Sequence, residues 1–132
     1  MSVFSRDLII RKIQQLAQAM ARIVGLREEK KLEQALDAVA QAEEDLIGSR
    51  RRVLERLDTI SVALMLHSPD VLRGWAWLIA ERARLLAALG RSAEARDQAR
   101  RAEALFAQAE RRGAELSDAD RKARDEISPL RG

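Results

Sequence analysis

Apolar side chains recur every three or four positions along most of this chain, the spacing that places them on one face of an α-helix. The first such stretch predicts a helix from about Ser5 to Val24, with Gly25 as its end. Its face comprises Ile9, Ile13, Leu16, Met20 and Ile23, together with Ile10, Ala17 and Val24. On a helical wheel these residues fill an arc of roughly 140°, which indicates a helix with one buried side.

The most regular stretch, residues 74–112, predicts two long amphipathic helices joined by a turn at Gly90. The first helix presents large side chains, namely Trp75, Leu78, Ile79, Leu85, Leu86 and Leu89. The second presents small ones at helical spacing, namely Ala95, Ala99, Ala102 and Ala109, with Phe106 among them. Large side chains that face a row of alanines let two helices approach closely. We expect this hairpin to be the unit against which the other helices pack.

Capping residues and helix breakers in the remaining sequence predict where the other helices begin and end. One helix should span residues 29–47, a second residues 50–66, and a short one should run from Ser117 until Pro129 ends it. The helix that leads to Gly90 should start at Ser68-Pro69-Asp70. Serine caps a helix, proline suits its first position and aspartate favours its positive end.

The sequence therefore predicts an all-α fold, an antiparallel helical bundle of five to six helices. Residues 1–113 are expected to form one helical domain, and residues 114–132 a short C-terminal helix and tail that is loosely packed. The stretch Ile60–Leu66 is apolar almost all round. Such a helix end is expected to be covered by several neighbours or by a second subunit.

The composition fits this fold and excludes several chemistries. The 132 residues include only 2 prolines and 6 glycines, and 47% are hydrophobic while 3% are aromatic, so the core should be aliphatic. The absence of cysteine excludes disulfides, thiolate metal ligands and thiol nucleophiles, and suits a cytoplasmic location. The start lacks the pattern of a secretory signal, and no apolar run approaches ~20 residues, so no membrane span is expected.

Charge alone says little about partners, because 24 Lys+Arg against 21 Asp+Glu give a net charge of only +3. The densest basic cluster is Arg50, Arg51, Arg52 and Arg56. We interpret it as a solvated helix face balanced by neighbouring acids, and the alternative is a set of phosphate contacts. Aromatic residues on which single-stranded bases could stack are lacking, so a nucleic acid is not the expected partner.

An inversion of residue types marks the helix before Gly90 as a candidate interaction site. Trp77 falls on the polar side with Arg73 and Arg84, whereas Arg82 falls in the middle of the apolar arc. In one interpretation Trp77 packs on a third helix, and Arg82 either pairs with a carboxylate or extends its charged end to the solvent. In the other, Trp77 is an exposed anchor for a partner, since tryptophan and arginine are enriched at interface hot spots.

Two further features are candidate sites. Asp7 and Arg11 are four apart on the polar face of the first helix, so they form either a surface ion pair or a docking patch. His67 is the only histidine and has only Asp70 near it, so no metal site is expected. The chain also lacks a glycine-rich phosphate loop, a zinc-protease motif and a nucleophile elbow. We therefore expect no catalytic residues, no cofactor and no enzyme.

The hairpin around Gly90 resembles the helix-turn-helix of tetratricopeptide proteins. The matching features are Ala83 in the first helix, Gly90 at the turn, Glu94-Ala95 at the start of the second helix, and Ala102. Leu32-Glu33-Gln34-Ala35 with Ala42 resembles a second copy. The copies lie 60 residues apart (Ala35 to Ala95), not at the ~34-residue period of such arrays. Ala99 replaces the usual aromatic, so the resemblance implies tetratricopeptide-like hairpins without a regular array.

The first two-thirds of the chain also resembles a family of small bacterial helical proteins of unknown function. The residues that carry this resemblance are Asp7, Arg11, Ile13 and Leu16, followed by Gln34-Ala35-Leu36, with Leu8 where the family often has tyrosine. The resemblance implies a bacterial cytosolic protein and supplies no activity.

Together these features predict a non-catalytic cytosolic protein-interaction or scaffold module, self-associating as a homodimer. Nucleic-acid or anionic-surface binding through the arginine clusters is one alternative. A small regulatory subunit of a larger complex is the other.

Overall fold

A computed structural model describes residues 5–132 as a helical bundle. The helices are α1 (Arg6–Glu28), α2 (Leu32–Ile47), α3 (Arg51–Glu55), α4 (Thr59–Leu66), α5 (Pro69–Ala88), α6 (Ser92–Arg111) and α7 (Asp118–Ile127), with 3₁₀ turns at Gly48–Arg50 and Ser128–Arg131. Within these residues there is no strand, so the predicted all-α bundle is confirmed. No helix in this part of the chain is both long enough and apolar enough to cross a bilayer.

Helix α5 lies at the centre of the bundle and packs against α1, α2, α6 and α7. Its start follows the predicted signal, because the Ser68 hydroxyl accepts a hydrogen bond from the Val71 amide at 3.2 Å and Pro69 opens the helix. Every side chain from Trp75 to Glu81 is buried, as expected of a helix with neighbours on all sides. Gly74 permits the approach of α1, since a Cβ there would lie 2.5 Å from a methyl carbon of Leu16.

Helices α5 and α6 form the hairpin that the sequence predicted. The turn passes through Gly90, which has a φ of +80° and therefore suits glycine. The expected small residues of α6 are all buried: Ala95, Ala99, Ala102 and Ala109. Alanines on this face leave room for the large side chains of α5, which explains the close pairing.

The single helix predicted over residues 50–66 is wrong, because the chain breaks between α3 and α4. The Asp58 carboxylate accepts hydrogen bonds from the amide and the hydroxyl of Ser61, at 2.8 and 2.9 Å, and so begins a new helix. At the end of α3, Arg101 donates to the carbonyl oxygens of Leu54 and Leu57 at 2.9 and 3.1 Å. The break is therefore stabilised on both sides, by the Asp58 cap at the start of α4 and by the bonds of Arg101 to carbonyl oxygens at the end of α3.

Helix α1 also differs from its predicted bounds. Gly25 lies inside it, and the helix continues to Glu28. The left-handed residue that ends the turn is Lys30, with a φ of +63°. A single glycine within a helix lowers its propensity by only ~1 kcal/mol, which packing against α2 and α5 readily offsets.

The C-terminal segment is packed, in contrast to the loose tail that was expected. Ile127 is fully buried and Ala123 nearly so, within the same core as α5. Ser117 and Asp120 form a capping box that begins α7, with hydrogen bonds of 2.9 and 3.1 Å. The sequence indicated few apolar residues here, but Leu116, Ala123 and Ile127 belong to the core of the bundle, while Ala119 is exposed.

Candidate functional site

A buried carboxylate, Glu43 of α2, lies at the centre of the most polar part of the core. It accepts a hydrogen bond from the Trp75 indole nitrogen at 2.8 Å and another from Nη1 of Arg82 at 3.2 Å. Nη2 of Arg82 contacts its other oxygen, and Arg51 approaches it at 3.4 Å. A buried carboxylate without such partners would be very unfavourable, so these contacts offset the cost of burying Glu43.

Arg82 therefore follows the first of the two interpretations, in which it pairs with a carboxylate. Its Nη1 also reaches the Gln98 side-chain oxygen on α6 at 3.4 Å. The sequence analysis missed Glu43, although a signal was present. Glu43 falls on the apolar face of α2 with Val39 and Leu46, as Arg82 falls on the apolar face of α5. An acid on the apolar face of one helix and a base on the apolar face of another are expected to pair where the two faces meet in the core.

A cavity of about 260 Å³ adjoins this pair. It is lined by Glu43, Glu55, Trp75, Ile79, Arg82, Gln98 and Arg101. The guanidinium of Arg101 lies 5.6 Å from the centre of the Trp75 ring, a cation–π distance. Burial lowers the pKa of Arg101 below its ordinary value, while the carboxylates of Glu55, Asp58 and Glu43 act in the opposite direction.

A second cavity of about 350 Å³ shares Arg82 and Gln98 with the first. Its other lining residues are Leu36, Ala40, Leu86, Arg91, Glu94 and Asp97, so one part of its wall is apolar. At its outer edge Arg91 and Glu94 form an ion pair of 2.7 Å, and the hydrogen bond from Arg91 lowers the pKa of the Glu94 carboxyl. The two cavities meet at these two shared residues, beside α2, α5 and α6, and are together called the cleft.

A second buried carboxylate, Glu81, lies on another side of α5. It accepts hydrogen bonds from Nε of Arg27 at 3.0 Å and from Arg84 at 3.4 Å. Arg84 also pairs with Glu126 of α7. This cluster joins α1, α5 and α7, and Glu81 lines neither of the two cavities that meet at Arg82.

Trp77 is only 3% exposed, so its interpretation as an exposed anchor is wrong. Arg73 and Arg84 share its face of α5, and they contact Asp120 and Glu126 of α7. The face is therefore covered by α7, and the polar residues around Trp77 serve ion pairs between helices. Arg73 also donates to the Glu115 carbonyl oxygen at 2.8 Å.

The remaining predicted contact residues are not brought together in one patch. Asp7 and Arg11 are exposed on α1, and within the described residues no ion pair joins them. Of the basic cluster, Arg52 and Arg56 are exposed and Arg50 is partly buried. Arg51 faces carboxylates of Glu43, Glu44 and Glu55 at 3.4 to 3.6 Å, so its charge is already balanced.

Helix α4 carries an exposed apolar surface, defined here by Ile60, Leu64 and Met65. Ile60 is 56% exposed and Leu64 55%, although Val62 and Leu66 of the same helix are buried. Neighbouring helices therefore cover only one side of this apolar stretch, and its other side is exposed. His67 ends α4 in a left-handed conformation, and residues 5–132 hold no cluster of three or more potential metal ligands.

Comparison with protein-family models, with curated proteins and with solved structures finds no match to this chain. The resemblance to a small bacterial family therefore stays a prediction, and the site must be judged from its own geometry.

Proposed function

We propose that this chain is a non-catalytic, cytosolic protein-interaction module of tetratricopeptide-like type that self-associates through the α4 apolar surface. The observation that supports it is the exposure of Ile60 and Leu64, each more than half exposed in a helix whose other side belongs to the core. Neighbouring apolar side chains left in water on one short helix are typical of an interaction site. The cytosolic placement rests on the cysteine-free composition.

The chain's helical hairpins support the tetratricopeptide-like description. The turns at Lys30 and Gly90 have φ values of +63° and +80°. In each turn the next amide bonds a carbonyl five residues back, from Lys31 to Leu26 and from Arg91 to Leu86, both at 2.9 Å. Helix α5 packs against both α1 and α2, as the first helix of a following repeat would.

The spacing of these turns draws attention to α3 and α4. Lys30 and Gly90 are 60 positions apart, whereas consecutive repeats would place them ~34 apart. The additional residues form the α3–α4 segment, which carries the exposed apolar side chains. This segment is thus an insertion between two hairpins, and we assign the interaction to it.

A second copy of the chain is the partner that the surroundings of α4 favour. Exposed side chains of both signs flank the apolar surface, with Arg52 and Arg56 close in sequence to Glu55 and Asp58. In a two-fold symmetric contact the same patch meets itself, so a patch needs charges of both signs to be self-complementary. A surface of one sign would instead favour an oppositely charged partner.

Sedimentation equilibrium at tens of micromolar tests this proposal. The wild type should be a dimer, and Leu64→Glu should be a monomer with an unchanged helical spectrum, because a carboxylate cannot be buried in an apolar contact. Ile10→Glu is the matched control, since Ile10 is 49% exposed but lies on α1. A monomeric wild type, or dissociation by Ile10→Glu alone, would overturn the assignment to α4.

A further inference from the structure

The cavity beside Glu43 contains hydrogen-bond donors that the protein itself does not use. An arginine side chain carries five N–H donors. Nη1 of Arg82 donates to Glu43 and Gln98 and Nη2 donates to Glu43, which leaves Nε and one N–H of Nη2 without a hydrogen bond to these groups. Arg82 lines both cavities of the cleft, so its remaining donors lie where a ligand could reach them.

Arg101 supplies a positive charge without a direct counterion. Its two Nη atoms donate to neutral carbonyl oxygens of Leu54 and Leu57. Within residues 5–132 no carboxylate lies at ion-pair distance from it, and its buried Nε has no hydrogen-bond partner. Glu55 also lines the cavity, but its carboxylate is paired with Arg51 at 3.6 Å. An anion in the cavity would balance the charge of Arg101.

The rest of the cleft is suited to an apolar group. The Trp75 ring and Ile79 form part of the wall beside the arginines. On the other side of Arg82 the wall contains Leu36, Ala40 and Leu86. The two cavities of about 260 and 350 Å³ together have the size and mixed polarity of a small-molecule site.

We propose that this cleft binds the oxyanion, carboxylate or phosphate, of a small and partly apolar ligand between Arg82 and Arg101. The Gln98 amide, which already faces Arg82, provides a neutral donor to the same group. Glu43 holds Arg82 in place through two contacts and does not itself touch the ligand. The site is separate from the α4 apolar surface and does not depend on self-association.

Two probes distinguish the possible sources of the oxyanion. The wild-type protein is titrated with inorganic phosphate and with hexanoate, and binding is followed by calorimetry and by tryptophan emission. Because the Trp75 ring lines the cavity and Trp77 does not, Trp75→Phe should remove the change in emission. Saturation by hexanoate alone indicates a carboxylate ligand with an apolar chain, and saturation by phosphate alone indicates a phosphorylated one.

A matched pair of variants identifies the site. Arg82 and Arg84 are two positions apart on α5, and each pairs with a buried glutamate, but only Arg82 lines the cleft. We expect Arg82→Gln to weaken binding about tenfold or more, the usual effect of losing a charge-assisted hydrogen bond, and Arg84→Gln to leave it unchanged.

Arg101→Gln and Gln98→Leu keep the test valid if Arg82→Gln fails to fold, because neither residue contacts Glu43 through an ion pair. Both should weaken the affinity while the helical spectrum is kept. The proposal is overturned if neither probe saturates the wild type at millimolar concentration. It is also overturned if Arg101→Gln and Gln98→Leu bind as tightly as the wild type.

Discussion

A buried glutamate lies at each of two sides of helix α5, and the surroundings of the two carboxylates differ. On the first side, Glu43 is held by Arg82 and by the Trp75 indole, next to a cleft. On the second, Glu81 is held by Arg27 and Arg84, under the cover of neighbouring helices. A buried ion pair thus does not by itself indicate a site. The Glu43 side is a candidate because space and unused donors lie beside it.

The two sides also join different parts of the bundle. The Glu43 cluster connects α2, α3 and α5, and reaches α6 through Gln98. The Glu81 cluster connects α1, α5 and α7. Each cluster therefore fixes how a different set of helices packs on α5, and the experiments below ask whether the two clusters differ in stability, in function or in both.

Removing either carboxylate should have the largest effect. Glu43→Ala leaves the partly buried Arg82 without a counterion, and Glu81→Ala does the same to Arg27, so each should lower the free energy of unfolding by about 3–5 kcal/mol. Urea denaturation followed by circular dichroism measures both. Equal losses would mean that the clusters are equivalent supports. A loss below ~1 kcal/mol for Glu43→Ala would contradict the description of Glu43 as a fully buried, paired carboxylate.

The two tryptophans provide a smaller and more selective comparison. Both are buried on α5, but only Trp75 donates a hydrogen bond to a buried carboxylate. Trp75→Phe should therefore destabilise the protein by about 1–3 kcal/mol more than Trp77→Phe, because it removes one of the two hydrogen bonds to the same oxygen of the buried Glu43. Thermal denaturation of the two variants side by side tests this. If Trp77→Phe lowered the stability more than Trp75→Phe, the more specific packing would lie on the Glu81 side of α5.

Neutralising each carboxylate without changing its shape separates stability from binding. Glu43→Gln removes a negative charge from the cleft while its amide oxygen can still accept a hydrogen bond from Arg82, so the affinity for an oxyanion should rise about tenfold. Glu81→Gln should leave the affinity unchanged, since Glu81 does not line the cleft. Calorimetric titration with whichever of hexanoate or phosphate binds the wild type measures both. Equal changes would show that the effect is not local to the cleft.

The smallest change in stability is expected for a substitution in the turn between α1 and α2. Helix α1 carries Arg27, and α2 carries Glu43. Lys30 adopts a left-handed backbone that glycine adopts at lower energy, as at Gly90. Lys30→Gly should raise the free energy of unfolding by about 1 kcal/mol without altering ligand affinity. Gly90→Ala is the converse control and should lower it. A change in affinity for Lys30→Gly would show that the turn acts on the Glu43 side.

Much of the fold could be predicted because apolar spacing is a local property of the sequence. The alanine face of α6, the Ser68-Pro69 start of α5 and the all-α class all follow from residues a few positions apart. The break at Asp58 could not be predicted in the same way. An acid in this stretch fits a solvated position on one long helix as well as the cap of a new one, and the long-range bonds from Arg101 to the end of α3 favour the break.

In the candidate site, too, some features follow from the sequence and others only from the tertiary structure. The sequence by itself determined that Arg82 and Trp77 occupy unusual positions, because each departs from the helical pattern of its own neighbours. Only the tertiary structure decided that Trp77 is buried and that Arg82 meets Glu43, 39 residues away. Which faces of two helices meet depends on the packing of the whole bundle, and the pairing of their charges follows from that packing.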